Sequence, residues 1–273
     1  MPNGARKSNL TNSYCPAKWQ SLQRWRFTRE SSNFPQFLQV RALFRKPLFN
    51  FSARPPIAMT TIQLHGNRLS PFTTNIMACF YEKEIDYEFV SVDFSTGAHK
   101  QPPFLALNPF GQVPAIRDND FTLFESRAII KYLAEKYEGQ GSNLMGKTLR
   151  ERAVVEQWSQ VESQTFNPPC SAILAQIVFG PMFGAKTDQA ILDTNVEKLS
   201  KVLDVYEERL SKSQYLAGDF FSVADLSHLS HINYLVNVAA KGDLITSRNN
   251  VNAWWERISS RPAWKKVLKE TKS

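Results

Sequence analysis

The first residue that could do chemistry is a serine placed where a helix is predicted to begin. Ser70 is followed by Pro71, and serine at the cap with proline in the first turn is a strong helix-start signal. A hydroxyl at a helix N-terminus can donate a hydrogen bond to a thiolate that a ligand supplies. Such a bond lowers the pKa of the ligand thiol and makes it a nucleophile near neutral pH. The alternative is that Ser70 only caps the helix.

Two strands are predicted on either side of that helix. Thr61–His65 and Asp86–Val92 alternate in hydrophobicity as strands do, and the helix between them runs to about Lys83. A strand, a helix and a strand of these lengths form a right-handed crossover unit. Ser70 is therefore expected at the point where the first strand enters the first helix.

A hairpin and a second helix complete the first predicted domain. Val113–Arg117 and Phe121–Phe124 flank an Asp-Asn-Asp turn, after a proline-containing piece predicted to be irregular. Glu125 and Ser126 then open a helix with an apolar side formed by Ile129, Ile130, Leu133 and Tyr137. The order β-α-β-β-β-α is that of a thioredoxin-like domain with a mixed sheet.

Redox proteins of that fold carry a C-x-x-C pair where the first strand enters the first helix. This chain has Ser70-Pro71-Phe72-Thr73 at that point, so the sequence excludes dithiol exchange. Its three cysteines, Cys15, Cys79 and Cys170, are too few and too scattered for a disulfide framework or a zinc knuckle. This cysteine usage fits a reducing compartment.

Beyond the first domain only helices are predicted. Residues 139–148 contain three glycines and indicate a linker, which sets the domains at 59–138 and 149–273. Apolar residues spaced by three and four positions indicate one face of a helical core: Leu192, Val196, Leu199, Leu203, Tyr206 and Leu210. Trp254–Ser260 and Pro262–Glu270 are predicted as two closing helices. The fold class is thus a thioredoxin-like domain followed by an all-helical domain.

A possible metal site lies within the helical domain. Asp225, His228 and His231 are three residues apart and could share one helix face as ligands. The alternative interpretation, which we favour, is that Asp225 caps the helix in a capping box with Ser222 while the histidines pack in the core. A metal site would also need a further ligand and a second shell.

The positive charge of the chain is confined to its beginning. Residues 1–58 hold ten basic residues and one acid, whereas residues 59–273 hold 23 basic and 24 acidic residues. The folded part lacks the electrostatic footprint of a nucleic-acid-binding domain, so no nucleic-acid partner is expected. No apolar run is long enough to span a bilayer, so stable membrane insertion is not expected either.

Residues 1–58 are predicted to form a basic leader rather than a folded domain. Phe37, Val40, Phe44 and Leu48 fall at helical spacing among basic residues, which is typical of an organelle transit peptide or a membrane-surface helix. A disordered tail, or coding sequence upstream of a true start at Met59, is the alternative. We therefore expect a cytosolic protein, with a plastid or mitochondrion as the alternative destination.

Three motifs in the first domain resemble a known family. Asn108–Ala115 (NPFGQVPA) and Leu123–Ile129 (LFESRAI) are similar to the glutathione-binding half of a glutathione S-transferase. Gly97–Lys100 (GAHK) and the FGQVP within NPFGQVPA are similar to the plant phi class. The similarity covers about residues 60–270 and is looser in the helical domain, where Tyr215–Asp219, Ser222–Asp225 and Arg261–Trp264 carry it.

The resemblance implies how the charged γ-glutamyl end and the thiol of glutathione would be held. Glu125 would pair with the γ-glutamyl ammonium. Ser126, with the helix it opens, would hold the γ-glutamyl carboxylate. Ser70 would stabilise the thiolate, with Pro71 beside it.

The rest of the tripeptide would contact the segments that precede the hairpin. His99 and Lys100 would face the glycyl carboxylate. The resemblance implies a cis peptide between Val113 and Pro114, which aims the Val113 backbone at the cysteinyl part, and Gln112 would add a side-chain contact.

The chain departs from the family pattern next to Ser70. Phi proteins usually follow S-x-x-T-x-R, but Pro71 and Phe72 come directly after Ser70, and Thr74 and Asn75 stand near the arginine position. Pro71 also removes one N–H close to the thiol. This departure leaves room for a rival interpretation, a non-catalytic carrier of hydrophobic small molecules. A partner-binding module is a further alternative.

The implied function is conjugation of the glutathione thiolate to hydrophobic electrophiles, in detoxification and stress response. Glutathione would be a cosubstrate, with no metal or redox cofactor, and peroxidase activity on organic hydroperoxides would be a side activity. An apolar acceptor pocket could be lined by Phe94, Phe166, Phe179, Met182 and Phe183. The alternative is that these residues belong to the core, where aromatic residues at helical spacing are more often found. Family resemblance also implies a homodimer.

Overall fold

The computed structural model of the chain describes residues 61–272, so the predicted leader lies outside the described residues. The first domain begins with strand β1 (Ile62–Gly66), helix α1 (Pro71–Glu82) and strand β2 (Tyr87–Ser91). Strands β1 and β2 are parallel neighbours, with Leu64 opposite Phe89. The predicted strand–helix–strand unit is therefore present.

A hairpin and a third helix complete the sheet domain. Strands β3 (Ala115–Asp118) and β4 (Phe121–Phe124) are antiparallel, and β3 also pairs antiparallel with β1. The strand order is β2-β1-β3-β4, so the sheet is mixed and β2 is an edge strand. Helix α3 (Ser126–Lys136) follows β4 directly and packs against α1. This is the thioredoxin-like arrangement that the sequence predicts.

The segment between β2 and β3 is more ordered than predicted. A 3₁₀ turn at Ala98–Lys100 leads into a short helix α2 at Pro102–Leu105. Pro102 and Pro103, which helped to suggest an irregular piece, occupy the first two positions of α2. A missing N–H costs nothing at a helix start. Their presence marks a helix start rather than a loop.

The second domain of the described chain is helical. A long helical segment runs from Leu149 to Met182, and π-helical turns interrupt it at Glu162–Phe166 and Ala175–Phe179. Its α-helical parts are α4 (Leu149–Val161), α5 (Asn167–Leu174) and α6 (Gly180–Met182). The later helices are α7 (Gln189–Leu210), α8 (Val223–Leu226), α9 (Leu229–Asn237), α10 (Asp243–Thr246), α11 (Asn249–Ser259) and α12 (Pro262–Glu270). No helix among residues 61–272 is long and apolar enough to cross a membrane.

The core of this domain is built as the spacing predicts. Five of the six residues in the predicted stripe on α7 are buried, and Val196 is half-buried. The closing helices α11 and α12 lie close to their predicted bounds and bury Trp254 and Trp264. The aromatic ring of Tyr206 on α7 packs at its centre against Trp158 and Trp254.

Asp225 is a buried cap, and both of its carboxylate oxygens accept hydrogen bonds. The Ser222 N–H and hydroxyl donate to one of its carboxylate oxygens, and the Leu216 N–H and Trp254 indole N–H donate to the other. His228 donates from Nδ1 to a backbone carbonyl and accepts at Nε2 from Tyr206. No group of three or more potential metal ligands occurs among residues 61–272. The packing interpretation is therefore correct.

The start of α1 is fixed against the helical domain by buried polar contacts. The Asn75 side chain donates to the Ser227 carbonyl at 2.7 Å and accepts from the Ser230 N–H at 3.1 Å. The Thr74 and Ser230 hydroxyls also share a hydrogen bond. Thr74 and Asn75, which stand near the arginine position of the family pattern, thus join the two domains.

Candidate functional site

One cleft of about 700 Å³ opens beside the first turns of α1 and α3. That volume lies within the range of about 300–1,000 Å³ that small-molecule sites occupy. All eight residues predicted to contact the ligand line this cleft: Ser70, Pro71, His99, Lys100, Gln112, Val113, Glu125 and Ser126. They come from four separate segments of the chain. The structure brings them together, while their individual roles stay predictions.

Ser70 is the cap of α1 and is only 8% exposed. Its Oγ accepts a hydrogen bond from the Thr73 N–H at 3.4 Å, which is longer than a good bond of this type. No acceptor for the Ser70 hydroxyl proton lies among the described residues, so the hydroxyl can donate to a ligand in the cleft. Pro71 is the first helical residue and contributes a wall but no N–H.

Glu125 and Ser126 form the junction of β4 with α3. Glu125 has φ 70° and ψ 110°, a backbone conformation that non-glycine residues rarely adopt. Such strain costs about 1–3 kcal/mol and is concentrated at ligand sites. Ser126 is the buried first residue of α3, beside the partial positive charge of that helix end. A carboxylate next to a helix N-terminus suits a ligand that carries both an ammonium and a carboxylate.

His99 and Lys100 lie in the 3₁₀ turn on another side of the cleft. The Lys100 ammonium donates to the Phe110 carbonyl at 3.0 Å, which ties this turn to the loop before β3. The His99 ring packs edge-on against Phe94 with centroids 5.1 Å apart. Its buried Nδ1 has no hydrogen-bond partner within residues 61–272. A ligand anion here would meet a lysine whose other N–H groups remain available.

The loop that carries Gln112 and Val113 is held by the buried side chain of Asn108. This amide donates to the Gln112 carbonyl at 2.6 Å and accepts from the Phe110 N–H at 3.0 Å. The peptide bond between Val113 and Pro114 is cis, as the resemblance implies. Asn108 thus shapes the cleft wall that the Val113 backbone presents.

An apolar wall lies across the cleft from these polar groups and is contributed largely by the helical domain. Of the five residues predicted for it, Phe94, Phe179, Met182 and Phe183 line the cleft. Phe166 does not. It is fully buried and packs on Tyr206 and His228, because the π-helical turn that ends at Phe166 directs this position into the core.

Arg127 is a cleft residue that the sequence reasoning missed. Its guanidinium pairs with Glu162 through Nε at 2.5 Å and Nη2 at 2.9 Å, which leaves Nη1 without a partner among the described residues. Burial raises the pKa of Glu162, and the Arg127 charge opposes that rise. Glu162 is 35 positions away, in the first π-helical turn, so no local spacing reveals the pair.

Phe72 is a second missed residue, and it occupies the place of the departure from the family pattern. Its ring lines the cleft and packs edge-on against His231 at 4.9 Å, with the Arg127 guanidinium 5.8 Å from its centroid. Burial, helped by the charge of Arg127, lowers the pKa of His231 to about 3, so this imidazole is neutral near pH 7. The Phe72 ring therefore packs against a neutral, buried imidazole.

Comparison with known proteins decides the family. The family model for the N-terminal domain of glutathione S-transferases matches residues 60–135, and the model for their C-terminal domain matches residues 171–262. Glutathione S-transferase F10 of Arabidopsis thaliana is 50% identical over 186 residues, or 68% of this chain and 86% of that protein. The chain belongs to the glutathione S-transferase family.

Further relatives agree on the class. A glutathione S-transferase of Hyoscyamus muticus is 46% identical over 207 residues, covering 76% of this chain and 97% of its own. The crystal structure of glutathione transferase F7 from Populus trichocarpa matches with a TM-score of 0.75 and 50% identity, covering 77% of this chain and 99% of that one. The chain is a phi-class transferase, as the resemblance predicted.

Proposed function

We propose that this transferase conjugates glutathione to small hydrophobic electrophiles. The thiol proton of glutathione passes to solvent water, and Ser70 donates a hydrogen bond to the thiolate that remains. The thiolate sulfur forms a bond to an electrophilic carbon, and the leaving group departs with its bonding electron pair. Because the thiolate supplies both electrons of the new bond, this chemistry requires no metal or redox cofactor, and glutathione is a cosubstrate.

One observation carries the proposal. The cleft joins groups that complement the charged ends of glutathione to an apolar wall of Phe94, Phe179, Met182 and Phe183. A polar tripeptide and an apolar acceptor can therefore lie side by side in one cavity. Apolar walls of this kind tolerate many acceptors, which suits a role in detoxification and stress response.

Steady-state conjugation tests the proposal on the full chain. With 1-chloro-2,4-dinitrobenzene as the acceptor, we expect formation of the thioether to saturate in both substrates and to stop without glutathione. Retention on a glutathione-affinity column is measured in parallel. A chain that is retained on the column but conjugates neither this acceptor nor other aryl halides would be the non-catalytic carrier instead.

We also infer a homodimer. Phe110 lies just before Gln112 and Val113 and is 63% exposed. Among the aromatic rings of the described residues, it makes an edge contact with Phe124 alone. Packing of this ring against a second copy of the chain would remove its apolar surface from water, which favours association. Light scattering after size exclusion should give twice the chain mass, and Phe110→Ser should shift the equilibrium toward the monomer. A monomeric wild type would contradict the inference.

For location we propose the cytosol. The support is the near-neutral charge of residues 59–273 and a cysteine usage suited to a reducing compartment. Fluorescent fusions that begin at Met1 and at Met59 should distribute identically. If only the fusion that begins at Met1 enters plastids or mitochondria, the basic leader is a transit peptide.

A further inference from the structure

A second pocket of about 260 Å³ lies at the outer edge of the sheet, and we name it the edge pocket. The edge strand β2, the end of α1 and the last helix α12 form its walls. It shares no lining residue with the glutathione cleft. The conjugation chemistry proposed above makes no use of it.

Charges of both signs surround the edge pocket. Arg68 and Lys266 are its cations, and Asp86 and Glu270 are its carboxylates. Glu270 accepts a hydrogen bond from the Tyr81 hydroxyl. Arg68, Lys266 and Asp86 form no ion pair with any residue in the described range. These three charges are available to a ligand.

The two cations are held in place by aromatic rings. The Arg68 guanidinium lies 4.5 Å from the centroid of the Phe89 ring, and the Lys266 ammonium lies 4.0 Å from that of Tyr81. Cation–π contacts of this kind orient a charged group without neutralising it. Both side chains are therefore partly preorganised for an anionic group, which lowers the entropic cost of binding.

The remaining lining of the edge pocket is apolar or aromatic. Ile85 is buried, and the Tyr87 ring is stacked on Phe80 with centroids 4.3 Å apart. The Tyr87 hydroxyl donates to the Tyr81 hydroxyl at 3.3 Å, and Tyr81 donates to Glu270. Because both hydroxyl protons are already used, the tyrosines offer a ligand mainly their rings.

We propose that the edge pocket binds the zwitterion of an amino acid with an aromatic side chain. Its carboxylate lies against Arg68 and Lys266, its ammonium lies toward Asp86, and its ring packs beside Tyr87. Unpaired charges of both signs beside aromatic walls complement this ligand better than a simple anion or cation. The pocket has well under half the volume of the cleft, which suits one amino acid rather than a tripeptide with its acceptor.

Calorimetric titration of the full chain tests the proposal. L-phenylalanine is the probe, and saturating S-hexylglutathione keeps the glutathione cleft occupied. We expect one phenylalanine per chain. 3-Phenylpropionate, which lacks the ammonium, and phenethylamine, which lacks the carboxylate, should each bind at least about tenfold more weakly, because each loses one charge-assisted contact. If 3-phenylpropionate binds as tightly as phenylalanine, the zwitterion assignment is wrong.

Three variants locate the site. Lys266→Gln and Asp86→Asn should each weaken phenylalanine binding by about tenfold while leaving the conjugation rate unchanged, since neither residue lines the cleft. Lys265→Gln is the matched control, because Lys265 is exposed on the same helix but does not line the pocket. Three results would each overturn the proposal, whether or not the chain conjugates. Phenylalanine does not bind, S-hexylglutathione abolishes its binding, or both test variants leave its binding intact.

Discussion

The Arg127 guanidinium and the Glu162 carboxylate meet through two contacts, of 2.5 and 2.9 Å, one to each carboxylate oxygen. The Glu162 side chain is fully buried, whereas 31% of the Arg127 side chain is exposed in the cleft. The pair joins the first turn of α3, directly after Ser126, to the π-helical turn that follows α4. The position of the predicted γ-glutamyl site thus depends on a contact between the two domains.

We expect Arg127→Met to destabilise the protein by about 3–5 kcal/mol, because it leaves an uncompensated carboxylate in the core. Replacing both residues, in Arg127→Met with Glu162→Met, should cost less than the single change, since no buried charge remains. Denaturant unfolding followed by tryptophan fluorescence measures both free energies. A double variant less stable than the single one would show that the pair contributes more than charge compensation.

The stability of Arg127→Met should also depend on pH. Burial already raises the pKa of Glu162, and without Arg127 nothing opposes that rise. The folded variant then holds this proton more tightly than the unfolded chain, whose glutamate titrates near pH 4.3. Relative to the wild type, the free energy of unfolding of Arg127→Met should therefore fall as the pH rises from about 4.3 toward neutrality. Unfolding curves at pH 4.5, 6 and 7.5 measure the difference, and a constant difference would contradict it.

The sequence could predict the polar half of the cleft because its residues lie in short local motifs. Ser70 with Pro71, and Glu125 with Ser126, are helix starts that are visible from a few adjacent residues. The pairing of Arg127 with Glu162 could not be predicted, since it depends on tertiary packing and on a π-helical turn that has no distinctive spacing. Phe166 lies in the core, at the end of the same π-helical turn. Aromatic residues at helical spacing are more often core than cleft residues, and the spacing alone could not tell Phe166 from Phe179.

Asn75→Ala tests the junction that fixes the first turn of α1. It removes one partner from each of two buried backbone groups, the Ser227 carbonyl and the Ser230 N–H. Each group left unpaired costs about 1–3 kcal/mol, so we expect a loss of about 2–6 kcal/mol. Asn237→Ala is the control, because this exposed amide bonds only to another side chain and should change stability by less than about 0.5 kcal/mol. Equal effects of the two changes would argue against the junction.

Glu125 should contribute to ligand binding at the expense of stability. Glycine adopts the observed φ of 70° without strain, so Glu125→Gly should leave the unfolding midpoint unchanged or raise it. The loss of the carboxylate should weaken glutathione binding by about tenfold, or about 1.4 kcal/mol, a modest value because the side chain is exposed. Glu125→Gln keeps the side-chain length and backbone strain and should lose the same affinity. Calorimetry showing unchanged affinity in both variants would refute the γ-glutamyl assignment.

Ser70→Ala should separate binding from chemistry, because the hydroxyl is predicted to contact only the thiol of glutathione, while other residues are predicted to hold its two charged ends. We expect the KM for glutathione to stay within a few-fold of the wild type. The kcat near neutral pH should fall by about 10²–10³, comparable to the loss of one preorganised donor to a developing anion. Raising the pH should restore part of the rate, since hydroxide then ionises the bound thiol without help.

Ser70 also caps α1, so its replacement could lower the stability of the protein as well as its turnover. The hydrogen-bond geometry keeps this effect on stability small. A good cap contributes about 1 kcal/mol, and the 3.4 Å bond from Thr73 to Ser70 Oγ is too long to reach that value. Ser70→Gly is the matched control, because glycine at a cap costs only a few tenths of a kcal/mol. Both variants should lose the same turnover although their stabilities differ. If both conjugate at the wild-type rate near neutral pH, Ser70 is only a cap and another donor stabilises the thiolate.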